Sequence, residues 1–276
     1  DSSTSRGLGD VYKRQSDVLT SYVLNISDES GNSIPSASLA RILSGLQAFI
    51  SGKEPTSAIS IGADLGLRKL AAMNAMSRYQ AFVPEMLSMI RIEPELWPTS
   101  ALLDWITLLD REQKIPDRAQ RLAQAQQILR SRIEWRGAVL GLKGGGDFWW
   151  LMNSGDVDAN RLLLWAAGRA EWSADIGRLV RGVLARQKQG HWDLTTANAW
   201  GVLAMDRFSK NHESEAVDGE TKISFLEKSE TIQWSEKKSH ERSFSVPKGK
   251  SELRVAHQGK GNPWGFFEAR AALALS

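Results

Sequence analysis

From residue 16 to about residue 210, apolar positions recur at helical spacing, and a polar capping residue stands at the head of most runs. Five runs rich in Ala and Leu read as inner helices: SDVLTSYVLNIS (16–27), ADLGLRKLAAMNAMSRY (63–79), LLDWITLLDR (102–111), DVDANRLLLWAAGRA (156–170) and TTANAWGVLAMDRF (195–208). In the fourth, Ala159, Leu162, Leu163, Ala166, Ala167 and Ala170 form one continuous face. The fifth is apolar nearly all round, which predicts burial on both sides. Four more charged, amphipathic stretches alternate with these and read as outer helices: SASLARILSGLQAFI (36–50), VPEMLSMIRI (83–92), DRAQRLAQAQQILRSRI (117–133) and SADIGRLVRGVLARQK (173–188). Alternating buried and half-exposed helices at a repeat of roughly 40 to 50 residues are the pattern of helical hairpins. Such hairpins either stack as an open solenoid or close into an α/α toroid, and the bulk of the inner runs favours the toroid.

The period changes near residue 213. TKISFLEK, ETIQWSEK, RSFSVPKGKSELRVAHQG and FFEARAALAL alternate with period two, and SEKKSHE, PKGK and GKGNP separate them as turns. The expected architecture is therefore mainly α: an α/α toroid over 16–212, then a short antiparallel β segment, a partial β-sandwich, over 213–276. The opening DSSTSRGLGDVYKRQ has no apolar period and is set apart as a non-native or disordered leader, 1–15. The chain reads as a fragment of something longer.

Composition narrows the chemistry. There is no cysteine, which removes disulfides, thiolate metal sites and a cysteine nucleophile from this chain. Four histidines lie far apart, none at a metal-ligating spacing, so neither a metal nor a cofactor is expected. The net charge of +3 is spread without a basic stripe, against a nucleic-acid partner. No apolar run reaches membrane-spanning length. Eleven tryptophans imply an extensive interior or a lined cavity.

WDLTTANAWGVLAMDRF (192–208), followed by a β segment that contains HQGKGNPWGFFEARAALAL (257–275), resembles the bacterial alpha-2-macroglobulins. The resemblance covers residues 16 to 276 and is weaker over the early helices. It implies an endopeptidase inhibitor that traps proteases, with a toroidal thioester-type domain inserted in a CUB-type β-sandwich. It also implies an extracytoplasmic location, periplasmic or cell-surface. Target proteases and the other domains of the same chain would be its partners. The family's thioester joins a Cys and a Gln in Cys-x-Glu-Gln; here Glu112-Gln113 is preceded by Asp110 at the Cys position and falls mid-domain, so the motif is not present. No catalytic residue is assigned, and none can be matched to the histidine that assists transfer in some relatives.

Three local features invite chemistry. His191 and Asp193 could form an acid/base pair, but residues two apart do not face one another on a helix, and capping of the last helix by Asp193 to Thr196 fits better. GDVDAN (155–160) faintly resembles a terpene-cyclase acid motif, yet acids at a helix start suit the macrodipole. GGGDFWW (144–150) lacks phosphate-loop spacing and reads as a flexible loop leading into an aromatic plug. Trp149 and Trp150, with His191 at the rim, are the candidate contact surface. The competing readings are an α/α-toroid enzyme of the terpene cyclase or polysaccharide lyase type, which needs clustered acids or bases that three tyrosines and GDVD do not supply, and an open helical-repeat scaffold.

Overall fold

The computed structural model describes residues 16–53, 62–137, 139–143, 148–213, 216–234, 240–247, 249–261, 263 and 265. The leader, the glycine run 144–146 and FFEARAALAL lie outside them. The chain forms two compact units, one through Phe208 and one from Ser209.

The first unit is built from eight helices among the described residues: α1 (Asp17–Glu29), α2 (Ser36–Ile50), α3 (Gly62–Ser77), α4 (Thr99–Arg111), α5 (Arg118–Ser131), α6 (Gly155–Ala166), α7 (Ile176–Leu184) and α8 (Thr195–His212), whose last turn runs into the second unit. α1 packs on α3, α3 on α4, and α4 on α6. α6 meets α8 where the Asn160 amide donates to the Ala197 carbonyl at 2.8 Å and Arg207 reaches the Leu164 carbonyl at 3.3 Å. α8 returns to α1 through the edge-to-face pair Tyr22–Trp200, 6.3 Å between centroids, and the Arg207–Glu29 ion pair at 2.5 Å. These five helices thus follow one another around a closed circuit. Residues from the earlier part of each line one pocket, and residues from the later part of each, or for α3 Arg78 just beyond its end, line a second, the arrangement of helices that run parallel. Half-exposed α2, α5 and α7 pack on α3, α4 and α6 respectively. The amphipathic period explains α7 well: Ile176, Leu179, Val180 and Val183 are its buried face.

Several elements differ from those that the periodicity predicts. The chain is not helical throughout 16–210. Ile133–Arg136 and Val139–Leu142 form an antiparallel hairpin, β1 and β2, turning at Gly137 with φ 61°. Ile133, the expected end of an outer helix, is instead its first residue. β-Branched and aromatic side chains on either side of a glycine in the left-handed region favour that turn over one more helical turn. The stretch from Val83 is a short 3-10 helix, Pro84–Met89, not an amphipathic α-helix. α6 is buried nearly all round, including Val157, Leu164 and Trp165, and not on a single face, while Ala170 lies outside it and is exposed. α8 is the one-sided helix: Thr196, Ala197, Trp200, Gly201, Ala204 and Phe208 are buried, whereas Val202 is 67% exposed.

The second unit is a three-stranded antiparallel sheet in the order β4-β3-β5, with β3 Glu220–Phe225, β4 Lys228–Gln233 and β5 Leu253–Gln258. Alternation puts Thr221, Phe225 and Ile232 on its buried face, and Phe244 packs on Phe225. The strand expected from Arg242 begins only at Leu253, after Pro247 and Gly249, which break the ladder.

Candidate contact surface at the start of the last helix

The two segments that hold Trp150 and His191 meet at the amino-terminal ends of α6 and α8. Lys188 to His191 is a two-residue hairpin in which Gln189 and Gly190 both have positive φ, 54° and 83°, the geometry of a type I′ turn. It delivers Trp192 to the interior, where the indole N–H donates to the Val183 carbonyl at 3.0 Å and the ring packs against Gly201, leaving no room for a Cβ there. Asn198 ties the turn down: its amide donates to the carbonyls of Trp192 and Leu194 at 3.0 and 2.8 Å, and its oxygen accepts from the Trp192 N–H at 3.1 Å.

The acids of GDVDAN are part of the same fastening. Ser154, not an aspartate, caps α6, its hydroxyl oxygen accepting from the Val157 N–H at 3.3 Å. That hydroxyl in turn donates to the Asp193 carboxylate at 3.0 Å. Asp156 accepts from the Asp193 N–H at 3.1 Å and from Arg186 at 2.6 Å. Thr196 donates to the Met152 carbonyl at 3.1 Å. The Asp193 and Thr196 side chains therefore bind the preceding segment, and Asp193 also accepts from the backbone N–H of Leu194 just before α8. Burial and the neighbouring Asp156 carboxylate outweigh the Ser154 bond and hold the Asp193 carboxyl above its ordinary pKa.

His191 and Asp193 do not form a pair: the exposed imidazole Nδ1 lies 2.9 Å from the Trp192 carbonyl, while Asp193 serves Ser154. Trp150 is 45% exposed, stands edge-to-face on Phe148 at 5.5 Å, and its indole N–H donates to Asp64 at 3.0 Å. Trp149 lies in the 3-10 turn Trp149–Leu151, and its side chain lies outside what is described. Among the described residues no group of three potential metal ligands comes together, and no helix is long and apolar enough to cross a membrane.

Asp158, one turn into α6, is the acid with the most unusual surroundings. Burial raises its pKa from 3.8 to about 6, against the Asn153 hydrogen bond and the attraction of Arg161 and Arg132, with Asp104 adding to the rise. A carboxyl raised in the folded state binds its proton more tightly there than in the unfolded chain. Its contribution is thus fully present below pH 3.8 and lost as pH rises through about 6. Asp158→Asn is therefore expected to be more stable than the parent at pH 7.5, by about 1–3 kcal/mol. The gap should shrink to about a third of that by pH 4.5, as read from urea midpoints at both pH values. An equal gap at the two pH values would show that ionisation of Asp158 is not the cause.

Sequence reasoning missed two groupings. Asp104 on α4, Asn74 on α3 and Arg161 on α6 form a buried triad, with Asn74 to Asp104 at 2.8 Å and Arg161 to Asp104 at 2.6 Å. Near the carboxyl-terminal ends of the ring helices, Arg78, Arg111, Arg161, Arg169 and Arg207 line one cavity of about 360 Å³. The five arginines come from four separate runs, with only Arg161 and Arg169 sharing one, so no local charge run exists. The only available signal was that four of the five inner runs carry an arginine at or just beyond their last turn.

The fold has likenesses among solved structures. It is similar to the native conformation of alpha-2-macroglobulin from E. coli, with a TM-score of 0.52 at 14% identity, over 80% of this chain and 13% of that one. It is likewise similar to the crystal structure of native E. coli alpha-2-macroglobulin from domain MG7 to the C-terminus, with a TM-score of 0.51 at 15% identity, over 80% of this chain and 33% of that one. The chain therefore spans 13% of the first protein and a third of the second's crystallised portion. At such identities the likeness is one of fold. No protein-family model matches the sequence, and no curated protein sequence matches it.

Proposed function

We propose that this chain is a segment of an alpha-2-macroglobulin-type protease trap. In this reading the unit through Phe208 is a toroidal thioester-type domain and the sheet that follows belongs to a CUB-type module. The observation that carries it is the closed circuit of five parallel helices followed by a small antiparallel sheet, in a fold similar to E. coli alpha-2-macroglobulin over 80% of the chain. The chain on its own performs no reaction, and the trap is a property of the longer protein, acting outside the cytoplasm. Trp149, Trp150 and His191 are the surface through which this unit meets another domain of that protein. The enzyme reading is disfavoured because the acids of GDVDAN are already engaged, Asp156 by Arg186 and the Asp193 N–H, and Asp158 by Asn153.

The test uses the longer protein that contains this chain, incubated with a broad-specificity endopeptidase. A trapped protease keeps its activity on a small peptide substrate while losing it on a protein substrate, and it co-migrates with the trap on gel filtration. The 276-residue chain alone is expected to do neither. Undiminished cleavage of the protein substrate by the protease treated with the longer protein would overturn the proposal.

A further inference from the structure

We propose that the cavity at the carboxyl-terminal ends of the ring helices is a binding site for a small organic anion with two or three carboxylates. Five guanidiniums line a space of about 360 Å³ against two carboxylates, Glu29 and Asp110. Four of the five have an acid of their own: Arg78 holds Asp28 and Glu29 at 2.6 and 2.7 Å, Arg161 holds Asp104 at 2.6 Å, Arg207 holds Glu29 at 2.5 Å, and Arg169 pairs with Asp110. Arg111 holds its acids least tightly. Its nearest carboxylate oxygens, at 3.5 and 3.6 Å, belong to Glu29 and Asp28, which Arg78 already occupies at shorter range. Burial first, and then the neighbouring Arg78 charge, make Arg111 easier to deprotonate than an ordinary arginine, against the attraction of Glu29, Asp28 and Asp110. Glu29 shows the same field from the other side: Arg78 and Arg207 together outweigh its burial and hold its carboxyl below the usual range.

Converging helix carboxyl termini would ordinarily repel an anion. Here part of that negative end is already neutralised, because Arg207 takes the Leu164 carbonyl and Arg118 takes the Leu109 carbonyl. Guanidinium forks match carboxylate geometry and hold it with charge-assisted bonds. The rest of the lining sets the class of ligand. Leu103, Leu164, Trp165 and Trp200 supply an apolar wall that an inorganic ion would leave uncovered, whereas a short carbon skeleton between carboxylates would cover it.

The experiment titrates the 276-residue chain with citrate, and separately with inorganic phosphate, at constant ionic strength so that general screening is held fixed. Thermal midpoint and the indole N–H resonance of Trp165, which donates to Asp110 at the cavity wall, are the two readouts. Citrate is expected to raise the midpoint saturably and to shift that resonance. Arg111→Gln should weaken the response at least about tenfold, the loss of one charge-assisted bond. Arg91→Gln, on a side chain 87% exposed and away from the cavity, should leave it unchanged. No saturable response of the parent chain to citrate overturns the proposal whatever the variants do. So does an unchanged response in a folded Arg111→Gln chain, and so does a phosphate response equal to that of citrate.

Discussion

Arg161→Leu is expected to destabilise the helical unit by about 3–5 kcal/mol, the cost of leaving a buried carboxylate without its counter-charge. Asp104 is buried, and its carboxylate is met by Arg161 at 2.6 Å and by the Asn74 amide at 2.8 Å. Removing the guanidinium leaves one neutral donor to satisfy a charge inside the ring. It also frees the face of Trp200, over which Arg161 lies at 5.3 Å. The informative comparison is the double variant Asp104→Leu with Arg161→Leu. Taking both charges away removes the desolvation cost as well as the attraction, so the double variant should regain most of the lost stability. Urea denaturation of the parent, both single variants and the double variant measures this. Additive losses in the double variant would mean that the pair acts through packing and not through its charge.

Gly182→Ala should cost about 2–3 kcal/mol, a large effect for one methyl group. A Cβ at 182 would stand 2.0 Å from the Leu140 carbonyl oxygen and 3.2 Å from Val139, so α7 and strand β2 could no longer touch. The obstacle is backbone, and a strand held by its partner β1 cannot swing aside as a side chain can. Gly177, on the same helix, has open space where its Cβ would be. Gly177→Ala should instead stabilise by about 0.5 kcal/mol, by restricting the unfolded chain. Opposite signs for the two substitutions, read from urea midpoints, are the expected result. A gain of equal size at both sites would refer the effect to helix propensity alone and show that the contact with β2 imposes no clash.

The helices at the centre of the first unit were legible because their signal is local and repeated. Apolar residues at three- and four-residue spacing predicted α4, α6 and α7 within a few residues of their observed limits, and the alternation of TKISF marked β3. What failed locally failed for a local reason. Ile133 to Leu142 carries β-branched and aromatic residues around Gly137, a strand signal that a long preceding helix masked. Val202 was counted into an all-round apolar surface on α8, but one apolar residue says nothing of which side a neighbour covers. The roles of Asp193 and Thr196 were also beyond reach. Both residue types cap helices well, and only the loop before α6, some forty residues earlier in the chain, diverts their side chains.

The contact surface shows the same division. Trp192 and Trp200 could be expected inside from their size and setting, and they are 5% and 4% exposed. That His191 stands outside, while Asp193 binds Ser154 on another segment, depended on a hairpin two residues long. The candidate anion cavity depended on tertiary structure altogether. Periodicity in this chain sufficed for the existence and approximate extent of the inner helices, for the switch to strands, and for the interior tryptophans, because burial of one face imposes its spacing directly on the residues. Periodicity is blind to direction around a ring. Arg78, Arg111, Arg161, Arg169 and Arg207 are scattered along the chain, and they share a cavity because five helices lie parallel with their carboxyl-terminal ends together. That convergence arises from contacts between residues far apart in sequence, so no stretch of the chain short enough to be read alone contains it.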